Sequence, residues 1–314
     1  MTRYILVIVL LAAVFLMSSC NKENTGGKVP VSITFSGRSG ETEGSADAEG
    51  MKTLRVIVAK SGTNDIVFNF DNPVSADGSS NVNIELLPDT YDFYFIANCE
   101  SAGIADINNP DLSSLEKHIL NADDPNTYVN GQGIPFGEIR KNVKVEEGET
   151  DIFGNDGMIA MKRSLAKISI DFVNETGSEV QLQELKISGA KAASGYLFEQ
   201  EQGDEYLGDD LTFNETIPAD GTSIVKYIYP VKKAEYDTTP FALTAKWNDV
   251  PNETILKEDM TSIPRNTHVD ITITLKQDGN FEMKSTVLPW ENGGESNILY
   301  GEKWDGVLSR TDGY

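Results

Sequence analysis

The sequence predicts an all-β protein made of two tandem antiparallel β-sandwich domains. Three observations predict it. Apolar and polar residues alternate with period two in many short runs, the pattern of strands buried on one face. Clusters of Gly, Asn, Asp, Pro and Ser punctuate those runs. Helical periodicity is scarce, which favours antiparallel sandwiches over a parallel α/β sheet.

The elements follow in chain order. Tyr4 to Met17 is almost wholly apolar after a positive start at Arg3. That is the length of a signal-peptide core and too short for a membrane span, so residues 1–19 read as an export signal. The run stops at Ser18-Ser19-Cys20. Small residues before a cysteine resemble a bacterial lipobox, which implies cleavage before Cys20 and diacylation of that residue. Cleavage leaves 295 residues (314 minus 19) and removes Arg3, so 25 basic residues face 49 acidic ones. So acidic a chain is repelled by nucleic acid and by anionic membrane surfaces. Residues 20–27 read as a polar linker. Its opening, Asn21-Lys22-Glu23-Asn24, resembles the Lys-plus-acid tags that send Bacteroidota lipoproteins to the outer face of the outer membrane. With Cys20 lipidated, Cys99 stands alone. No disulfide is then expected, and stability rests on apolar burial.

The first strand covers 29–37, with Val31, Ile33 and Phe35 on one face and Ser32 and Thr34 on the other. It runs into the acidic, glycine-rich stretch "RSGETEGSADAEG", in which Arg38 is the only basic residue. Leu54, Val56 and Val58 mark a second strand, and Tyr91, Phe93 and Phe95 a third. Between them "NFDNPVSADGSSN" reads as a turn cluster. "PDLSSLEKHIL" is the best helical stretch, Leu112 to Leu120 with Asp111 as N-cap. "GNDGMIAMKR" reads as a boundary, dividing the chain into domains at 28–162 and 163–290. In the second domain Ile168, Ile170 and Phe172 alternate, as do Phe241, Leu243, Ala245 and Trp247, and Val269, Ile271, Ile273 and Leu275. Trp247 and Trp290 read as core, and Trp304 as exposed. Residues 291–314 form a C-terminal tail.

Catalytic and metal-binding patterns are absent from the sequence. The two histidines, His118 and His268, lie in different predicted domains without ligand spacing. There is no HExxH, CxxC, Walker loop or GxSxG elbow. Asp204, Glu205, Asp209, Asp210 and Glu215 are concentrated in one acidic stretch, but their spacing is not that of an EF-hand. No catalytic residue, cofactor or metal site is expected.

Several segments, taken in order, resemble the fimbrillin-type lipoproteins of Bacteroidota, the family of type V pilus subunits. They are the signal ending at Cys20, then "VPVSITFSG", "LRVIVAK" and "LLPDTYDFYFIAN", the Arg-x-x-Ala-Lys strand in "MKRSLAKISIDF", and the Arg-Asn strand in "IPRNTHVDITITL". The resemblance spans most of 28–290. It implies two transthyretin-like sandwiches in series and no enzymatic activity. It also implies an outer-membrane lipoprotein that enters a fimbrium after processing. A trypsin-like protease would cut after Arg38, the strand bearing Val31, Ile33 and Phe35 would leave, and another subunit's C-terminal segment would fill the groove. The partners implied are thus other fimbrial subunits, the processing protease, and the outer membrane through the lipid. Arg55, the next arginine, lies inside a predicted strand and is expected to resist cleavage.

The tail departs from the family pattern. Ile298, Tyr300, Val307 and Leu308 are its candidate pocket-filling residues, but glycines at 293, 294, 301 and 306 break the alternation a donor strand needs. "FEMKSTVLPW" alternates little better. An uncleaved anchor or tip subunit is therefore an alternative, and a surface glycan-binding lipoprotein is another. A cluster of exposed aromatics on one sheet face would mark the latter.

Overall fold

The computed structural model describes residues 27–36, 49–76, 78–149, 151–154, 157–199 and 208–290. The fold is all-β, in two sandwiches. In the first, β1 (Val29–Ser36), β4 (Ser79–Leu86) and β8 (Met158–Ala160) form a sheet in the order β4-β1-β8. It faces a four-stranded sheet, β3-β2-β5-β7, made of β2 (Leu54–Lys60), β3 (Ile66–Asn72), β5 (Asp89–Ala97) and β7 (Phe136–Val145).

The second sandwich pairs two four-stranded sheets. One, ordered β15-β9-β20-β21, contains β9 (Ala166–Asn174), β15 (Thr222–Ile228), β20 (Thr267–Leu275) and β21 (Phe281–Pro289). The other, β13-β11-β17-β18, contains β11 (Glu184–Lys191), β13 (Asp209–Thr212), β17 (Ala242–Trp247) and β18 (Val250–Ile255). Short pairs complete the pairing among the described residues: β6 (Ile119–Leu120) with β12 (Gly195–Tyr196), β10 (Val180–Gln181) with β14 (Thr216–Ile217), and β16 (Val231–Lys232) with β19 (Ser262–Ile263). Among the described residues, pairing is antiparallel except between β1 and β8 and between β9 and β20. No helix of the described residues is long and apolar enough to cross a membrane, which says nothing about crossing by strands.

Two cores result. Leu54, Val56 and Val58 of β2 and Tyr91, Phe93 and Phe95 of β5 face β1 across the first sandwich. Their neighbours Ile57, Ala59, Tyr94 and Ile96 face the other way, into a larger core continuous with the second sandwich. That is why "LRVIVA" is apolar at nearly every position: a strand buried on both faces loses the alternation. The segment between β5 and β7 covers this outer face with three short helices, α1 (Cys99–Ala102), α2 (Leu112–Leu115) and α3 (Asn126–Asn130). It is tied to the second sandwich by the β6–β12 pair and by the Tyr128 and Tyr229 hydroxyls, 3.1 Å apart.

Two local expectations need correction. The helix expected from Leu112 to Leu120 is the single turn α2, capped as predicted by Asp111, whose carboxylate accepts from the Ser113 N–H at 3.3 Å. It stops because Ile119 and Leu120 are drawn into pairing with Tyr196 and Gly195. The cluster "NFDNPVSADGSSN" is a turn only in its middle; its two ends belong to β3 and β4.

Candidate functional site

Two places gather the residues singled out in the sequence: the seat of β1, and the junction between the sandwiches.

β1 is the middle strand of its sheet. It pairs with β4 along its whole length, from Val29 opposite Leu86 to Ser36 opposite Ser79, and with β8 at Thr34 to Ser36. Val29, Val31, Ile33 and Phe35 are buried. The Phe35 ring meets Phe95 edge-on at 5.0 Å, and Phe93 meets Phe153 in the same way at 5.0 Å. The outer face is polar and cross-linked. Ser32 Oγ donates to Asn83 Oδ1 at 2.7 Å, and Thr34 Oγ1 to Asn81 Oδ1 at 3.0 Å. Gly157 adopts φ +72° where a Cβ would lie 2.7 Å from the Ser32 carbonyl oxygen, so only glycine lets the chain approach β1 this closely. At roughly 1.5–3 kcal/mol per large apolar side chain, the four buried residues stabilise the strand by about 6–12 kcal/mol, an upper bound. That is the size of a whole domain's net stability. An empty seat would therefore leave the first sandwich close to unfolding.

The junction is built from the Arg-x-x-Ala-Lys and Arg-Asn segments. Arg265 is half-buried, and its guanidinium donates to four main-chain carbonyls: Arg163 at 3.1 Å, Leu197 at 2.9 Å, Gly137 at 3.0 Å and Lys162 at 2.6 Å. It thus binds the crossover into β9 to β7 and to the stretch after β12. The approach is close enough that a Cβ on Gly137 would sit 2.4 Å from the Leu197 carbonyl. Arg163 is fully buried beside it. Its Nε donates to the Glu49 carbonyl at 3.1 Å and its Nη1 to the Trp290 carbonyl at 3.2 Å. The guanidinium also lies 4.5 Å from the Trp290 ring centre and 5.2 Å from that of Phe136. Burial pulls both arginines down to about 10, which keeps them charged at neutral pH.

Glu49 completes this node. Its carboxylate meets Lys167 Nζ at 2.9 Å and accepts from the Tyr227 hydroxyl and, at 3.3 Å, from the Trp290 indole N–H. Burial alone would raise the Glu49 carboxyl. The Tyr227 and Lys167 hydrogen bonds outweigh it and hold the group below its ordinary value.

The remaining sequence-singled residues are scattered. Cys20, Arg38, Ile298, Tyr300, Val307 and Leu308 lie outside the described residues, as do Trp304, Asp204 and Glu205. Arg55 lies in β2, paired with Asp71 at 2.9 Å. Trp247 and Trp290 are core residues. Asp209 and Asp210 lie on β13, where Asp210 meets Lys186 at 3.3 Å. His118 Nε2 is 2.6 Å from the Ala102 carbonyl, and His268 Nε2 is 2.8 Å from Ser169 Oγ. Cys99 is half-buried, and burial pushes its thiol up to about 11.

Solved structures share this architecture. The tip fimbrial protein Mfa3 of Porphyromonas gingivalis, solved with a C-terminal truncation, superposes with a TM-score of 0.58 at 16% identity over 84% of this chain and 100% of its own. The fimbrilin of the same organism gives 0.52 at 10% identity, covering 84% and 98%. The chain has the fold of fimbrial proteins. A putative cell adhesion protein from Parabacteroides distasonis also gives 0.52, at 14% identity over 84% and 97%. No family model and no curated protein matches the sequence.

Within this fimbrial fold, sequence reading missed Glu49 altogether. It closes an acidic, glycine-rich stretch and looks like one more solvated carboxylate. Arg163 and Arg265 were visible only as pattern members, with no sign that Arg163 would be fully buried or that Arg265 would gather four carbonyls.

Proposed function

We propose that the chain is a cell-surface fimbrial subunit, structural and adhesive, without catalysis. It is exported as a lipoprotein acylated at Cys20 and folds as two domains, 28–162 and 163–290. It joins other subunits by strand exchange after a trypsin-like protease cuts at Arg38. The seat of β1 carries this reading. The first described strand is the middle of its sheet, with Val29, Val31, Ile33 and Phe35 filling one groove. Its loss would open an apolar channel that an alternating strand of another subunit can refill by backbone pairing and side-chain insertion. The glycan-binding alternative needs clustered exposed aromatics. The strongly exposed ones among the described residues, Phe70 (62%) and Tyr236 (86%), lie in different sandwiches.

The test is size-exclusion chromatography of the mature protein after limited trypsin digestion, beside Arg38→Ala and a deletion of residues 291–314. Cut wild type is expected to form oligomers and both variants to stay monomeric. A clean cut at Arg38 with departure of β1 and a monomeric product refutes strand exchange, leaving an anchor or tip role.

A further inference from the structure

Glu49 is the first described residue after the 37–48 stretch, and Trp290 is the last before the C-terminal tail. They are 241 residues apart in sequence, yet share one buried seat. We infer that this seat couples the chain at Glu49 to the chain at Trp290, so that release of either loosens the other through the Glu49 carboxylate.

The wiring is direct. Glu49 Oε2 holds the Trp290 indole N–H, while Glu49 Oε1 takes Lys167 and Tyr227. The Trp290 ring stacks on Tyr227 at 5.7 Å and lies under the Arg163 guanidinium. Arg163 bridges the two main chains, one nitrogen on the Glu49 carbonyl and another on the Trp290 carbonyl. Each segment is then pinned onward. The Trp290 N–H donates to the Asn266 carbonyl at 2.8 Å. Just beyond Glu49, the Lys52 N–H donates to Asn98 Oδ1 at 2.8 Å, and Asn98 Nδ2 holds the Gly50 carbonyl at 3.0 Å.

Withdrawing Glu49 leaves the half-buried Lys167 without its carboxylate and the indole N–H without its acceptor. Withdrawing Trp290 takes the stacking partner from Tyr227 and an acceptor from Arg163. Each departure lowers the stability of the other's seat, and such coupling is reciprocal. The coupling stands whether or not β1 is exchanged. If it is, Trp290 would be held less firmly in a subunit whose chain at Glu49 has been disturbed.

Amide hydrogen exchange on the full mature chain tests this. Glu49→Ala is expected to speed exchange at the Trp290 N–H by roughly tenfold or more, the loss of a hydrogen bond to a charged group. Trp290→Phe should speed exchange at the Lys52 N–H. The double variant should exceed neither single variant by much, while amides of β20 stay slow. Glu49→Gln, which keeps the side-chain shape but loses the charge and one acceptor oxygen, is expected to speed the same amide by a smaller factor should Glu49→Ala not fold. Effects that multiply in the double variant, a silent distant amide, or uniform acceleration across both sandwiches would each overturn the coupling. None of these outcomes depends on oligomer formation, so failure here is separate from failure of strand exchange.

Discussion

Phe35→Ala is the sharpest probe of the β1 seat. The side chain is fully buried and meets Phe95 edge-on at 5.0 Å. Removing a buried phenylalanine costs about 3–5 kcal/mol in transfer and cavity energy, which includes about 0.5–1.5 kcal/mol for the aromatic pair. A loss near 4 kcal/mol is therefore expected in urea denaturation of the uncut protein. Thr34→Ala is the control. It removes only the outer-face hydrogen bond to Asn81 and should cost about 1 kcal/mol or less. Four kcal/mol is also several hundredfold in affinity. After cleavage at Arg38, the Phe35→Ala strand should therefore leave far sooner than the wild-type strand. Comparable losses from Phe35→Ala and Thr34→Ala would mean that β1 is not seated by its apolar face, and the groove argument would fall.

Other expectations are narrower. Gly157→Ala should cost more than about 1 kcal/mol by thermal melting, because the new Cβ meets the Ser32 carbonyl at a positive φ. Burial pushes the Cys99 thiol up to about 11, so at pH 8 only about a thousandth of it is thiolate, and iodoacetamide should label it far more slowly in folded than in unfolded protein. Burial tends to raise the carboxyls of Glu49 and Asp92, but hydrogen bonds from Tyr227 and from the Asn142 N–H, respectively, leave both below their ordinary values. Depressed carboxyls stabilise the fold above the unfolded value, about 4, and that stability is lost as pH falls through the lower folded values. Burial raises Glu138, which works the other way, so Glu49→Gln should flatten the acid limb of a stability–pH curve and Glu138→Gln should not. EDTA is expected to leave the melting temperature unchanged, and a drop would point to an ion near residues 204–215.

What could be read from the sequence follows from how each element is buried. β1, β9 and β20 have one face in a core and one toward water or polar partners, so their alternation is plain. β21 was obscure. Phe281, Met283 and Val287 pack inward, but Lys284, Thr286 and Leu288 give the other face no consistent polarity, and the stretch read as a poor donor. In the structure it pairs with β20 over nine residues and belongs to its own sheet. β4 was hidden differently, because its polar face, Asn81 and Asn83, supplies the acceptors for Ser32 and Thr34 and looks like a turn.

The junction was illegible for a more general reason. Charged residues are ordinarily read as solvent-facing, and here two arginines, a lysine and a glutamate lie at the meeting of the sandwiches. Backbone geometry explains why they are needed. Where the chain crosses from one sandwich to the other, the carbonyls of Lys162, Arg163 and Leu197 converge with that of Gly137 on β7; Lys162 also accepts from the Gly137 N–H at 3.3 Å and Leu197 from Ser164 Oγ at 2.9 Å, and the rest of their bonding capacity needs a donor from elsewhere. An unsatisfied buried carbonyl costs about 1–3 kcal/mol. One planar guanidinium, that of Arg265, can serve all four at once, which a lysine ammonium cannot match in geometry. Arg265→Lys should therefore destabilise the protein despite keeping the charge. The Lys162 and Leu197 carbonyls keep their second donors, so the loss falls on those of Gly137 and Arg163, about 2–6 kcal/mol in all, read by urea denaturation. A loss under 1 kcal/mol would show that water or a backbone shift satisfies those carbonyls and that Arg265 is not what holds the junction.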